Sequence, residues 1–313
     1  DGTQGLRLLF RLRGSILGDI VAPLLAIGAV SVIVTLLDGE LFGIKLHMHV
    51  AVFGMLGTVL AIILGFRTNA SYDRYREGRM LWGELLAATR SLARALEAHI
   101  DAPRFDDETP ERRLLCRTVA MLHVLRHSLR GTDAREDLAP WIDRPLVEAT
   151  LADRFPAARL LDEASRELHS LAESGRVTDY ARVTLQQDLA FFQRQISGCE
   201  RLQTTPIPFA YSLLVHRTIS VYLLLLPFGV VDSCGAMTPV VSLVMAYTFF
   251  GLEAVGSRIE EPFGLLPNDL PLAGLCRSVE IELAPLLGHT APPAPLLGHT
   301  APPPMEPVNG MLT

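Results

Sequence analysis

One stretch of the chain begins as an apolar helix sequence and ends as a charged one, with no helix-breaking residue in between. Residues 52–66, VFGMLGTVLAIILGF, carry no charge, whereas residues 67–86 are rich in arginine, aspartate and glutamate. No proline interrupts either part, so a helix can continue from one into the other. The glycines of the apolar part weaken a helix in water but allow close helix packing in a membrane. This stretch predicts one long helix that starts inside a membrane and ends in water.

Four apolar runs are long enough to cross a bilayer as helices. They cover residues 20–37, 49–66, 207–231 and 237–255. The first would be about 27 Å long as an α-helix, close to the thickness of the hydrocarbon core. Its length, and the lack of an A-x-A cleavage sequence after it, favour a retained membrane anchor over a signal peptide. The sequence thus predicts an all-α membrane protein with four transmembrane helices per subunit.

The rest of the sequence divides around these runs. We predict that residues 1–66 form an N-terminal segment with spans one and two, and residues 67–205 a helical cytosolic region. Residues 206–256 then hold spans three and four, and residues 257–313 a cytosolic C-terminal segment with a proline-rich tail. Leucines recur at helical spacing throughout the cytosolic region, and Pro110 suits the first turn of one of its helices. In the tail, the sequence APLLGHTAPP occurs twice in tandem, and its proline content excludes a helix.

The basic residues are distributed unevenly about the four spans. Arginines precede span one and follow spans two and four, whereas the other two connections contain Lys45 as their only Lys or Arg. The arginines concerned are Arg7, Arg11, Arg13, Arg67, Arg74, Arg76, Arg79 and Arg258. By the positive-inside rule, both termini and the large polar region are predicted to lie in the cytosol.

Thr58, Ile62 and Phe66 lie four residues apart in the apolar half of the long helix, and therefore on one of its faces. Such a stripe is most often ordinary helix packing. If several copies of the helix surround an axis, the same residues instead form three stacked rings. Two of these rings are apolar, and an apolar constriction can block ions by excluding water. The residues alone leave both interpretations open.

Three motifs resemble those of the bestrophin family in its bacterial branch. They are LGFRTNASYDRYREGRMLWGEL at 64–85, IPFAY at 207–211 and EEPFG at 260–264, in the family's order. The resemblance extends from about Gly14 to Leu283. It implies a homopentameric ion channel with one axial pore, in the bacterial inner (plasma) membrane, for small monovalent ions. Chloride or another anion is expected by resemblance, but an apolar neck does not determine the sign of the ion, and a cation such as sodium stays open.

The resemblance also implies roles for individual residues. Thr58, Ile62 and Phe66 match the neck of the pore, where family members carry bulky apolar residues, so Thr58 makes the outermost ring more polar. Ile207 matches a second constriction, the cytosolic aperture. From physical principles alone, the Pro-Ile-Pro sequence at 206–208 cannot lie inside a helix and would be a kinked entry to span three.

Two other functions compete with the channel. A secondary transporter would show two related halves with broken helices, a relation that spans one and two do not have to spans three and four. A membrane-anchored scaffold would need only the cytosolic helices. No G-x-S-x-G nucleophile elbow or glycine-rich phosphate loop indicates an enzyme. The net charge of −6 argues against nucleic acid as a partner.

We predict no metal or cofactor site. His47 and His49 would diverge as i, i+2 neighbours on a helix and have no third ligand nearby in sequence. Animal bestrophins bind gating calcium through several carboxylates just after the Pro-Phe-Gly motif, where this sequence has only Asp269. Since calcium requires many oxygen ligands, calcium gating is not expected. The four widely separated cysteines are predicted to be buried, unreactive thiols.

His216 and Arg217 fall within span three. A charge at membrane depth is costly unless it is paired or faces a cavity. We therefore expect a buried ion pair that holds the helix bundle together, in preference to a transport role.

Overall fold

The computed structural model describes residues 16–41, 44–45, 49–99, 109–287, 307–308 and 311–312. The helices in this part of the chain are α1 (Leu17–Leu36), α2 (Val50–His99), α3 (Pro110–Arg130), α4 (Arg135–Leu138), α5 (Arg144–Leu151), α6 (Pro156–Glu173), α7 (Asp179–Thr204), α8 (Phe209–Cys234), α9 (Thr238–Ile259) and α10 (Leu272–Leu283). Short antiparallel hairpins pair β1 (Glu40–Leu41) with β2 (Ile44–Lys45), and β3 (Pro307–Val308) with β4 (Met311–Leu312). The predicted all-α fold class is confirmed.

The longest helix, α2, runs for 50 residues without a break. Its first half is the uncharged sequence and its second half the charged one, which confirms the prediction of one continuous helix. The chain divides into two compact units, the first made of residues 1–75 and 206–261 and the second of residues 76–205 and 262–313. Helix α2 contributes its first half to the first unit and its second half to the second.

The first unit has one apolar core, to which α1, the first half of α2, α8 and α9 all contribute. The ring of Tyr222 on α8 lies 6.0 Å from the ring of Phe53 on α2 and 5.5 Å from that of Phe249 on α9. Its hydroxyl donates a hydrogen bond to the Phe53 carbonyl at 3.3 Å. Gly57 permits this approach, since a Cβ there would lie 2.7 Å from the Tyr222 hydroxyl. A small residue thus allows α2 and α8 to pack closely.

Three helical segments of the described chain are long and apolar enough to cross a membrane: Leu17–Leu36, Val50–His99 and Phe209–Ile259. The third consists of α8 and α9, which have 26 and 22 residues and pack on each other. The 3₁₀ turn Gly235–Met237 joins them, and Gly235 has a φ of 49°, in the left-handed region that favours glycine. Each of the four predicted apolar runs therefore lies almost wholly within one helix.

The second unit is built on the packing of α3 against α6. Leu114 and Leu125 of α3 and Leu160 and Leu171 of α6 are fully buried, as their helical spacing predicts. Helix α3 begins at Pro110, the position predicted for its first turn. Helix α7 packs on α6, and α10 packs on α3.

Ion pairs fix several helices of this unit. Glu111 at the start of α3 is fully buried and pairs with Arg176 at 2.8 Å. Asp137 of α4 accepts hydrogen bonds from His127 and Arg126 of α3. The hydrogen bond from His127 and the charge of Arg126 outweigh partial burial and lower the pKa of Asp137 to about 2. This carboxylate therefore stays ionised at neutral pH and ties α4 to α3.

Three of the four cysteines, Cys116, Cys199 and Cys276, are buried, and Cys234 is half-buried. Burial raises the pKa of Cys199 and that of Cys276 to about 12. Because the thiolate is the reactive form of cysteine, neither thiol reacts readily while the protein is folded.

We expect Cys116, Cys199 and Cys276 to resist alkylation in the folded, detergent-solubilised protein, because all three thiols are buried. Treatment with iodoacetamide at mildly alkaline pH, followed by mass spectrometry, measures this. Modification at Cys234 alone is the expected native pattern, and modification at all four is expected in denaturant. Rapid native alkylation of Cys199 would contradict the described packing.

Candidate functional site

In the part of the chain that the structure describes, the face of α2 that carries Thr58, Ile62 and Phe66 is exposed. Ile62 and Phe66 are 54% and 68% exposed, and Thr58 is exposed as well. The opposite side of the helix, with Phe53 and Leu64, is buried in the core of the first unit. An exposed apolar face of this kind is a mark of an interaction with lipid or with another protein surface.

The hydroxyl of Thr58 is engaged within its own helix. Its Oγ1 donates a hydrogen bond to the Gly54 carbonyl at 2.9 Å. The hydroxyl proton is therefore already used, and only the oxygen lone pairs and the methyl group remain for the surroundings. A ring of these residues would offer acceptor oxygens but no free donors.

The next residue after this stripe, Arg67, is buried in the first unit, with only 3% of its surface exposed. Its guanidinium donates hydrogen bonds to Glu253 Oε1 at 3.3 Å and to the hydroxyls of Ser257 and Ser212 at 2.9 and 3.4 Å. It also lies 3.7 Å from Glu260 Oε2. Arg67 thus joins α2 to α8 and α9 at the point where the apolar part of α2 ends.

This set of partners was missed in the sequence. Glu253, Ser257 and Glu260 are four and three residues apart, so they lie on one face of α9 and its C-terminal end. A polar stripe at the end of an apolar helix is the signal from which the site could have been found.

The prediction of a buried ion pair at His216 and Arg217 is wrong. Both residues are exposed on α8 in the single chain. The side chain of His216 is 55% exposed, and its Nδ1 lies 3.6 Å from Glu253 Oε1. Among the described residues of this unit, the buried arginine is Arg67, which has its carboxylate and hydroxyl partners around it and so avoids the full penalty of an unpaired buried charge.

Ile207 lies outside both flanking helices, as its neighbouring prolines predict, and is half-buried. Its backbone N–H donates a hydrogen bond to Glu260 Oε1 at 3.2 Å. Pro206 and Pro208 have no N–H, so this is the only backbone donor of the tripeptide. The predicted aperture residue and Arg67 therefore contact the same carboxylate.

The charged half of α2 and the EEPFG segment meet in the second unit. Gly78 has no room for a side chain, since a Cβ there would lie 3.0 Å from the Phe263 ring and 3.1 Å from Pro262. Arg130 of α3 donates hydrogen bonds to the carbonyls of Phe263 and Leu270 at 3.2 and 3.1 Å. The first and third of the motifs noted in the sequence are thus in direct contact at Gly78, which is the physical reason for a glycine at this position.

Asp269 closes a turn in the segment after Pro-Phe-Gly. Its Oδ2 accepts a hydrogen bond from the Leu266 N–H at 2.7 Å, and its own N–H donates to the Leu266 carbonyl at 3.0 Å. Among the residues that the structure describes, no three His, Cys, Asp or Glu are placed to hold a metal ion. His47, the arginines before residue 16 and most of the duplicated tail lie outside the described residues.

Comparison with known proteins places these features in one family. The profile described as Bacterial/Fungal Bestrophin protein matches residues 2–285. A voltage-dependent anion channel-forming protein of Ralstonia nicotianae is 37% identical over 283 residues, which make up 90% of this chain and 92% of the relative. One from Escherichia coli K12 is 37% identical over 280 residues, 89% of this chain and 90% of the relative. A crystal structure of a bacterial bestrophin homologue from Klebsiella pneumoniae is similar with a TM-score of 0.80 at 38% identity, covering 86% of this chain and 99% of that one.

Replacing Arg67 with alanine should lower the free energy of unfolding by about 3–5 kcal/mol, because Glu253 and Glu260 would stay largely buried without their counter-charge. Arg67→Lys should recover part of this loss, since it keeps the charge but not the planar set of donors. Thermal unfolding in detergent, followed by intrinsic fluorescence, measures both.

The matched control is Arg79→Ala, which removes an exposed arginine from the same helix. Its effect should stay within about 0.5 kcal/mol. If Arg67→Ala unfolds at the parent's temperature, the buried network does not stabilise the first unit.

Proposed function

Because the chain belongs to the bestrophin family, we propose that it forms an ion channel that conducts small anions such as chloride across the bacterial inner membrane. The observation that carries the proposal is the uncovered apolar face of α2, which ends at the buried Arg67. The relatives' description as voltage-dependent anion channel-forming proteins supports a transport function and an anionic permeant ion.

In the proposed channel, five copies of the chain surround one axis and each contributes α2 to the pore. The four spans are α1, the first half of α2, α8 and α9, so residues 1–66 and 206–256 form the membrane part. Residues 67–205 and 257–313 lie in the cytosol with both termini. Exposed apolar residues on α1 and α9 are consistent with contact to lipid. Symmetry mates and pore water, rather than lipid, then cover the face of α2 that carries the stripe.

The neck of this pore consists of the rings formed by Thr58, Ile62 and Phe66. Water withdraws from a narrow apolar constriction, and an ion that enters must give up part of its hydration shell. The rings of Ile62 and Phe66 therefore form the barrier, and the Thr58 ring, with its acceptor oxygens, is easier to wet. Any movement that widens the two apolar rings admits water and lowers the barrier.

Ile207 forms the second constriction, on the cytosolic side. The prolines on both sides restrict the backbone, so the Ile207 side chain sits on a stiff segment. A ring of five such side chains selects ions by size and by ease of dehydration. Because the ring is apolar, its selectivity depends on side-chain length and polarity.

The carboxylates near the neck favour a second candidate, conduction of small cations such as sodium. Glu253 and Glu260 lie 3.3 and 3.7 Å from Arg67 and bring negatively charged groups close to the neck. Fixed charge next to an apolar neck, rather than the neck itself, determines the sign of the permeant ion. The reversal potential of the current distinguishes the two candidates.

The double variant Ile62→Ala, Phe66→Ala should raise the macroscopic current by about tenfold at unchanged surface expression, which corresponds to a barrier lowered by about 1.4 kcal/mol. Smaller side chains widen both apolar rings and so reduce dewetting. Leu56→Ala is the control, because Leu56 is an exposed apolar residue of α2 about a third of a turn away from the stripe. A double variant that conducts like its parent would place the barrier elsewhere.

Ile207→Ala should change the relative permeability of ions of different size, because it shortens the side chain that forms the aperture. Ile207→Glu and Ile207→Arg should shift the anion-to-cation preference in opposite directions. The measurement is the reversal potential under bi-ionic conditions, with assembly checked by size-exclusion chromatography. Leu214→Ala, at an exposed apolar position of α8, serves as the control. Identical reversal potentials in all Ile207 variants would mean that this residue is structural only.

A further inference from the structure

The carboxylate of Glu260 connects the neck helix to the aperture residue. Its Oε1 accepts the Ile207 N–H at 3.2 Å, and its Oε2 lies 3.7 Å from Nη2 of Arg67. Its backbone carbonyl also accepts a hydrogen bond from Nε of Arg74 at 3.1 Å, about two turns further along α2. Glu260 is thus held to α2 at two points while it holds Ile207.

The contact with Ile207 has no backbone substitute within its segment. Of residues 206–208, only Ile207 has an N–H, because its neighbours are prolines. A carboxylate acceptor makes this hydrogen bond stronger than one to a neutral carbonyl. This single N–H therefore ties the stiff Pro-Ile-Pro segment, and with it the Ile207 backbone, to the Glu260 carboxylate.

We propose that Glu260 is the positioning residue of the aperture and couples the position of Ile207 to the base of the neck. This inference rests on the proposed function, since it takes Ile207 as a pore-lining residue. Arg67 directly follows Phe66 in α2, so a rotation of the helix that moves Phe66 also moves Arg67. The Glu260 carboxylate then moves with Arg67, and the Ile207 backbone moves with Glu260. Glu260 acts through Ile207 and does not touch the permeant ion.

Two changes that break the same contact from opposite sides test the proposal. Glu260→Ala removes the acceptor, and the α-hydroxy analogue of isoleucine at position 207, introduced by nonsense suppression, replaces the donor N–H with an ester oxygen. Each should change the permeability ratio of a large and a small ion by about twofold or more, in the same direction. The combined variant should change the permeability ratio no more than the larger of the two single changes does, because both changes remove the same interaction.

Glu261→Gln is the matched control, since it neutralises the adjacent, exposed carboxylate. It should leave the permeability ratio at the parent's value. Glu260→Gln keeps an acceptor oxygen for Ile207 but loses the charge opposite Arg67. It should keep the permeability ratio within the parent's range while reducing the extra current produced by Ile62→Ala, Phe66→Ala, since the link between neck and aperture is weakened.

A parent-like permeability ratio in both the Glu260→Ala and the ester channels would overturn the proposal, as would effects that multiply in the combined variant. If Glu260→Ala fails to assemble, the ester channel alone decides, because a parent-like ratio there shows that the contact is dispensable. Failure of this inference is distinct from failure of the channel assignment. If only this inference fails, Ile207→Ala still changes the permeability ratio. If the channel assignment fails, no Ile207 variant changes it.

Discussion

The first unit depends on a single guanidinium that is buried where an apolar helix becomes a charged one. Arg67 is 3% exposed and contacts residues of α8 and α9 as well as Glu260, which directly follows α9. Removing a charge from water carries a large penalty unless charged and polar partners surround it, and here two carboxylates and two hydroxyls do so. The network fixes the register of α2 against its neighbours at the residue that directly follows Phe66. Together with the contact of Tyr222 with Phe53, this side chain sets the position of the apolar stripe on α2.

On the opposite side of the same helix, the described part of the chain leaves a continuous apolar face exposed. Phe53 and Leu64 face the core, whereas Ile62 and Phe66 are exposed. A charge-free helix of this kind is stable only where lipid or other copies of the protein cover that face. Membership of the bestrophin family supports the proposal that this face lines a pore. Arg67 connects the helix that carries the face to α8 and α9. A helix anchored by a buried charge at the base of its stripe presents the stripe at a defined angle, as an apolar constriction requires.

Local features of the fold could be predicted from the sequence. The uninterrupted helix across Phe66 followed from the absence of proline, and the start of α3 at Pro110 followed from its missing N–H. The hydrogen-bonded network could not be predicted in the same way, because Arg67 and Glu253 are far apart in sequence and periodicity describes only neighbours on one helix. The placement of a buried ion pair at His216 was wrong for a related reason. Hydropathy locates a charge along a span but not around its circumference, and the His216 side chain is 55% exposed in the single chain.

Single-channel recording of the purified protein in a planar lipid bilayer tests the central claim most directly. The channel proposal predicts discrete unitary currents, with a reversal potential that follows the chloride gradient when chloride and sodium gradients are opposed. A reversal potential that follows sodium would support the cation candidate, in which the carboxylates beside Arg67 determine the sign of the permeant ion. Slow, saturable flux without unitary steps would indicate a transporter, and no flux at all would indicate a scaffold. Either of the last two results would contradict the claim that the exposed face of α2 lines an ion pore.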